Sequence, residues 1–515
     1  MQMPSNSSKN FDSTGTAQRA GGQIPARQSF RAIFSWKNLY SHPELLLLAL
    51  GAWHLLFWVL VPAASYRMLP LDTLELLGWG QEWQWGYYKH PPLGAWLGEA
   101  TRQLFGGNSI GLYLLAQSCV LVTLLYVWRT ARLFLEPRAA VLSTVILEGA
   151  YWYTYLTPNF NMNTLQLPVW AGLTYHFLRA LHGNALHWGT WGVFVALSLL
   201  TKYSGLLIIG TCVVIVLFSP RGRQCLRRPG PYLGLMVAGV LLLPHLLWLS
   251  QHWQLPLNYL RGFDHFSLAT WHQHLLEPLR FAAGALLGLL FTALLFLLLG
   301  HEKRSRATLG TDTRVLLALC LGPLLLSMLF GAVTGSRLKS TWAFGFFNLA
   351  GIALFLVFPT QINPVRFRRF CLGLVLVALL AGGAHLAYKT FSDRSKTTFD
   401  GPALALAIAN DWQTSIGSPL PLVIGDHILS AIVSAYAPSR PSMLINGDFS
   451  LSLWLTDAEL RRDGAVVVCA TAEGDCFPAF AARASRRRQI QIGAQHFVYF
   501  FLAPGAPEPQ TVRAQ

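Results

Sequence analysis

Charge is what this sequence has least of. Only 12% of its 515 residues are Asp, Glu, Lys or Arg, against 53% hydrophobic, and its mean hydropathy is +0.41. Soluble domains carry about 25% charged residues, so an ordinary soluble enzyme is excluded and a membrane protein is indicated. Acids are scarcest: 23 Asp and Glu stand against 39 Lys and Arg, a net charge of +16. That excess does not indicate nucleic acid. It falls in short clusters such as "RGRQCLRRP" and "HEKRSR", between apolar runs long enough to cross a bilayer.

Cysteine is also sparse. Of seven, Cys119, Cys212, Cys225, Cys320 and Cys371 lie in or beside apolar runs with no CxxC or Cys/His spacing, so no metal site is expected. Cys469 and Cys476 close the loop "CATAEGDC". A disulfide there would suit an oxidising compartment, but the spacing alone does not establish its geometry. An internal repeat is missing too. The inverted repeats of many transporters leave hydropathy symmetry, so a carrier is disfavoured.

The apolar runs predict about eleven spans, at 44–64, 109–128, 139–156, 163–181, 188–201, 203–219, 232–250, 280–300, 314–333, 342–358 and 370–388. Residues 1–43, rich in Ser, Gly and Gln, read as a disordered cytoplasmic tail before an uncleaved first helix. With that tail inside, four basic clusters fall in cytoplasmic loops, as the positive-inside rule requires. They are Arg129/Arg132/Arg138, Arg221/Arg223/Arg227/Arg228, Lys303/Arg304/Arg306/Arg314 and Arg366/Arg368/Arg369. The same threading puts a first loop over 65–108, a lid loop over 251–279 and all of 389–515 on the outer face. The last region alternates short strand-like runs ("PLPLVIGD", "PSMLING", "AVVVCA", "HFVYFFLA") with helical stretches, predicting a small periplasmic α/β domain. The expected fold is therefore an α-helical polytopic membrane domain over 44–388 followed by this α/β domain.

Lys89, Lys202, Arg337 and Lys339 break the orientation rule. Each has a bland reading, snorkelling into headgroups. Several at one depth instead suit a shared anionic ligand such as a lipid-linked phosphate. In "DTLELLGWGQEWQWGYYKHPPLGAW", Asp72 followed by Glu75 reads as a capping box, and the N-cap carboxylate is also placed to act as a general base. Trp79, Trp83, Trp85, Tyr87 and Tyr88 suit an interfacial helix, and Pro91 restricts His90 to extended backbone. His265, His272 and His274 lack clear ligand spacing, so the 251–279 loop reads as a lid over a lipid ligand rather than a metal site.

An acid just after the first span, an interfacial helix, "GYYKHPPLGAWL" and then "LTKYSGLL" resemble the polyprenyl-phosphate-sugar glycosyltransferases of the protein-mannosyltransferase and aminoarabinose-transferase superfamily, which have the GT-C membrane fold. The resemblance spans roughly residues 44–350. It implies transfer of a sugar, with inversion, from a polyprenyl (undecaprenyl) phosphate on the periplasmic face of the bacterial inner membrane. The acceptor it implies is an envelope glycolipid such as lipid A, or another molecule. No cofactor, metal or nucleic acid is implied, and a monomer is expected.

By position, Asp72 matches the family's acid, with Glu75 a candidate second carboxylate where many relatives have Asp-Glu. Lys89, His90 and Lys202 match the phosphate-holding group, and Arg337 and Lys339 join them by topology. Asn159, Asn161 and Asn163 stand where many relatives carry another acid and, with Tyr87 and Tyr88, are candidates for sugar or acceptor binding. Rival readings are a lipid-linked sugar flippase or transporter, a protein O-mannosyltransferase-type activity, and a non-catalytic envelope assembly factor.

Overall fold

The computed structural model describes residues 35–262, 270–300, 310–392, 396–470, 477–481 and 487–505. Among the described residues, five helices are long and apolar enough to cross a bilayer: Glu44–Ser65, Ser109–Ala131, Gly230–His252, Thr311–Thr334 and Pro364–Phe391. A sixth candidate span is a pair, Trp271–Leu287 and Leu290–Leu299, bent by 45°. Leu186–Thr201 and Gly205–Phe218 are shorter apolar helices, and Met162–Leu181 packs among them. The chain is a multi-pass membrane protein.

Besides the broken 280–300 segment, two further expected spans are not continuous helices. The 139–156 segment is helical only over Pro137–Val145, followed by a 3₁₀ turn at Ile146–Gly149 and further turns. The 342–358 segment is helical only over Ala350–Val357. Close backbone contact explains the first break: a Cβ on Gly149 would lie 2.6 Å from Thr292 N. Non-helical backbone at membrane depth must find partners within the protein. Here Tyr151 N–H donates to Gly288 O at 2.9 Å, and Asn348 donates to Leu167 O at 3.0 Å while accepting from Tyr153 Oη at 2.7 Å. Hydropathy sees the apolar side chains but not these backbone contacts.

Small residues let the remaining helices approach. A Cβ on Gly192 would stand 2.1 Å from Gly234 O, so Leu186–Thr201 and Gly230–His252 touch backbone to backbone. The bundle has two distinct ends. At one, Arg138 donates to Tyr40 O at 3.1 Å, Tyr40 Oη donates to Ile362 O at 2.8 Å, and Arg368 lies over Trp36. Two of the basic clusters thus share that end. At the other, the first and last long helices meet through Tyr66 Oη and His385 Nε2, 2.8 Å apart.

Beyond the last long helix lies a five-stranded sheet: β1 Leu422–Gly425, β2 Ser442–Ile445, β3 Ala465–Ala470, β4 Arg488–Ile492 and β5 Gln495–Leu502. Its order is β2-β1-β3-β5-β4. β1 pairs parallel with β2 and β3, and β5 pairs antiparallel with β3 and β4. The four strand-like runs of the sequence become β1, β2, β3 and β5. β4, "RQIQI", alternates exposed and half-buried residues at the sheet edge and carries too little apolar content to stand out. Cys469, in β3, is disulfide-bonded; Cys476 lies outside the described residues. The Leu429–Tyr436 helix of this region packs directly against Leu71–Gly80.

Candidate active site

The acidic helix, Leu71–Gly80, starts two residues earlier than a capping-box reading requires. Its N-cap is Pro70, without a side-chain cap, so Asp72 lies within the first turn rather than at the cap. A capping box is present elsewhere, at Thr456 with Glu459. In the first turn Asp72 still complements the helix dipole, while its carboxylate remains available to other groups. Asp72 is exposed, and its Oδ2 accepts from Asn159 Nδ2 at 3.0 Å and Asn161 Nδ2 at 2.9 Å. Among the described residues Oδ1 makes no hydrogen bond.

The asparagines hold that carboxylate for a local reason. Asn161 is the N-cap of Met162–Leu181, and its Oδ1 accepts from Asn163 N at 2.9 Å and Thr164 N at 3.1 Å. Capping uses its oxygen and leaves its amide pointing to Asp72. Thr73 ties the two segments together, donating to Phe160 O at 2.9 Å. Asn163 Oδ1 in turn accepts from Lys202 Nζ at 2.7 Å. In this structure all three asparagines therefore contact the charged side chains, which the TPNFNMN pattern alone did not indicate.

Lys202 is the extended C-cap of Leu186–Thr201, and its ammonium lies over the Trp342 ring. Lys339 Nζ lies 5.9 Å from the same ring. Burial pushes Lys202 down to about 8; Asp72 acts against this shift, and Lys89 adds to it. Lys89 donates to Glu75 Oε2 at 2.8 Å. Burial lowers its basicity, but Glu75 outweighs that effect and leaves Lys89 above its usual value. Burial raises Glu75, with Lys89 opposing, and among the described residues the buried Glu75 Oε1 has no hydrogen-bond partner. Glu75, one helical turn on from Asp72, thus holds Lys89 of the following loop beside the helix.

His90 is held well below its usual value by burial and then by Lys89 and Lys202, so at neutral pH it is an uncharged ring rather than a cation. Tyr87 is buried: its hydroxyl donates to Trp79 O at 2.9 Å and its ring stacks on Trp79. It sits in the packing rather than at the site's surface. Tyr88 is half-buried, edge-on to Trp79 and Tyr259. Arg337 lies 3.9 Å from Glu277, which Arg280 also contacts at 2.8 Å. From the lid region, the Gln254–Gly262 helix brings Tyr259 within 5.5 Å of Lys89 Nζ and edge-on to His90. No periodicity singled out Tyr259. His265 lies outside the described residues, His272 stacks on Trp271, and His274 Nδ1 lies 2.8 Å from Ala332 O.

The fold and this cluster define a polytopic membrane protein whose carboxylate and lysines meet at one end of the helix bundle. Residues 89–248 match the family model described as dolichyl-phosphate-mannose-protein mannosyltransferase. The structure matches ArnT from Cupriavidus metallidurans bound to undecaprenyl phosphate with a TM-score of 0.65, at 14% identity, over 91% of this chain and 100% of that one. The apo form of the same protein matches at 0.62, with 16% identity, over 91% and 99%. The lipid A galacturonosyltransferase RgtD of Rhizobium johnstonii (strain DSM 114642 / LMG 32736 / 3841) is 28% identical over 206 residues, 38% of this chain and 42% of the relative. The match thus spans less than half of that curated relative, whereas the structural likeness runs along nearly the whole chain. The chain has an ArnT-like, GT-C fold, as the motifs between Asp72 and Lys202 imply.

Proposed function

We propose that this protein is an inner-membrane glycosyltransferase that moves a sugar from a polyprenyl phosphate to a hydroxyl or phosphate of lipid A at the periplasmic face. The observation that carries this reading is the Asp72 carboxylate, one oxygen tethered by two asparagines, next to the Asn163–Lys202 and Glu75–Lys89 pairs. The likeness to ArnT and to a lipid A galacturonosyltransferase supports both donor and acceptor classes.

In the proposed reaction Asp72 Oδ1 accepts the proton of the acceptor hydroxyl. The acceptor oxygen bonds to the anomeric carbon from the face opposite the phosphate, and the bond from that carbon to the phosphate oxygen breaks. Negative charge grows on the leaving polyprenyl phosphate, where Lys202 and Lys89 stabilise it in a low-dielectric setting. Lys339 and the neutral His90 line the same anion path, Arg337 stands at its margin, and Tyr259 covers it from the lid. Residues 65–108 and 389–505 then face the periplasm, with the basic clusters in the cytosol.

The test uses the purified full chain in nanodiscs with lipid A and a panel of undecaprenyl-phosphate-linked sugars, products being read by mass spectrometry. Asp72→Asn is expected to lower transfer by about 10²–10⁴-fold at unchanged protein level. Wild-type transfer rates in that variant would remove Asp72 from the reaction.

A further inference from the structure

The acidic helix and the loop that carries Lys89 and His90 would have to be held in register, and the group that does this comes from the far end of the chain. Arg440 sits in the turn between the Leu429–Tyr436 helix and β2, in left-handed backbone with φ 53. That conformation is uncommon for a residue with a side chain. Its guanidinium is largely buried and spans two helices. Nη2 donates to Leu77 O at 2.9 Å, in the last turn of the acidic helix, and to Glu99 Oε2 at 2.9 Å on Leu93–Leu104. Nε donates to Gln81 Oε1 at 3.2 Å.

Neighbouring contacts reinforce this placement. Gln81 Nε2 donates to Ser434 Oγ at 3.1 Å, Ser442 Oγ donates to Glu82 Oε1 at 2.6 Å, and Leu69 N–H donates to Tyr436 Oη at 2.6 Å. A Cβ on Gly80 would lie 2.4 Å from Ala95 O, so the two bridged helices are in backbone contact and small displacements matter.

We infer that Arg440 is a positioning residue: through Leu77, Gln81 and Glu99 it fixes the angle between the helix bearing Asp72 and Glu75 and the helix that follows Lys89 and His90. The sheet region is thereby part of the transfer machinery rather than an appendage. A planar fork with several donors suits this task, and lysine cannot reproduce it. The inference rests on the transferase reading above for its kinetic consequence, but not for its structural one.

Two measurements on the full chain in nanodiscs separate these. In Arg440→Gln, hydrogen exchange is expected to rise in 71–80 and 93–104 while β1, β3 and β5 keep their protection. Transfer kinetics are expected to show kcat lowered about tenfold or more, with donor KM within about twofold. Arg440→Lys is expected to restore only part of kcat. Should Arg440→Gln fail to fold, Glu99→Gln probes the same bridge from the other side and is expected to raise exchange in 93–104. Exchange unchanged in both helices, or loosened throughout the sheet instead, overturns the inference whether or not any sugar is transferred. A raised donor KM at intact kcat overturns it as well. Absence of wild-type transfer with altered helix exchange in the variant would overturn the transferase reading and leave the positioning role standing.

Discussion

Lys202→Met separates stability from function. Holding Lys202 at about 8 instead of 10.5 means that its charged form is disfavoured in the folded protein. At about 1.4 kcal/mol per tenfold, this costs about 3 kcal/mol below pH 8. Between pH 8 and 10.5 the unfolded chain keeps this proton and the folded chain does not, so wild-type stability rises with pH across that window. Methionine removes the penalty and the slope. It also strands the Asn163 oxygen, at about 1 kcal/mol, leaving a net gain of about 2 kcal/mol near pH 7. Donor binding moves the other way. A hydrogen bond from an ammonium to phosphate contributes about 1.5–3 kcal/mol, so affinity for undecaprenyl phosphate falls about 10–150-fold. In wild type the same affinity weakens as pH rises past about 8, because the ammonium is lost. Denaturation midpoints and titrations with undecaprenyl phosphate at pH 7 and 9 measure both. A variant that is less stable than wild type yet binds donor equally well, with an unchanged pH profile, would refute the reasoning.

Tyr87→Phe removes a buried hydroxyl that bonds Trp79 O and Gln84 N; a stability loss of about 1–2 kcal/mol with unchanged KM for both substrates is expected. A marked rise in acceptor KM would return Tyr87 to the sugar-binding surface. Gly192→Val forces side-chain atoms onto Gly234 O and is expected to cost at least about 2 kcal/mol, lowering the thermal midpoint. Gly189→Val on the same helix, where a Cβ meets nothing within 4 Å, serves as its control and is expected to change the midpoint little.

What the chain alone determined follows from properties that act locally. Partition between water and lipid depends on the composition of each run, so the membrane character, the long apolar helices and the basic clusters were legible one segment at a time. The Asp72, Lys89 and Lys202 motifs were singled out by their resemblance to a family pattern. Four of five strands were legible because their apolar runs contrast with the turns between them. Helical continuity through 139–156 and 342–358 was not, because backbone contacts between remote segments broke it. Only the tertiary structure decided which partner each charged group takes. Asp72 takes Asn159 and Asn161, Lys202 takes Asn163, and Arg440 bridges two helices more than 300 residues earlier in the chain. A hydrogen bond extends about 3 Å, and no one-dimensional pattern states which distant atoms come within that reach.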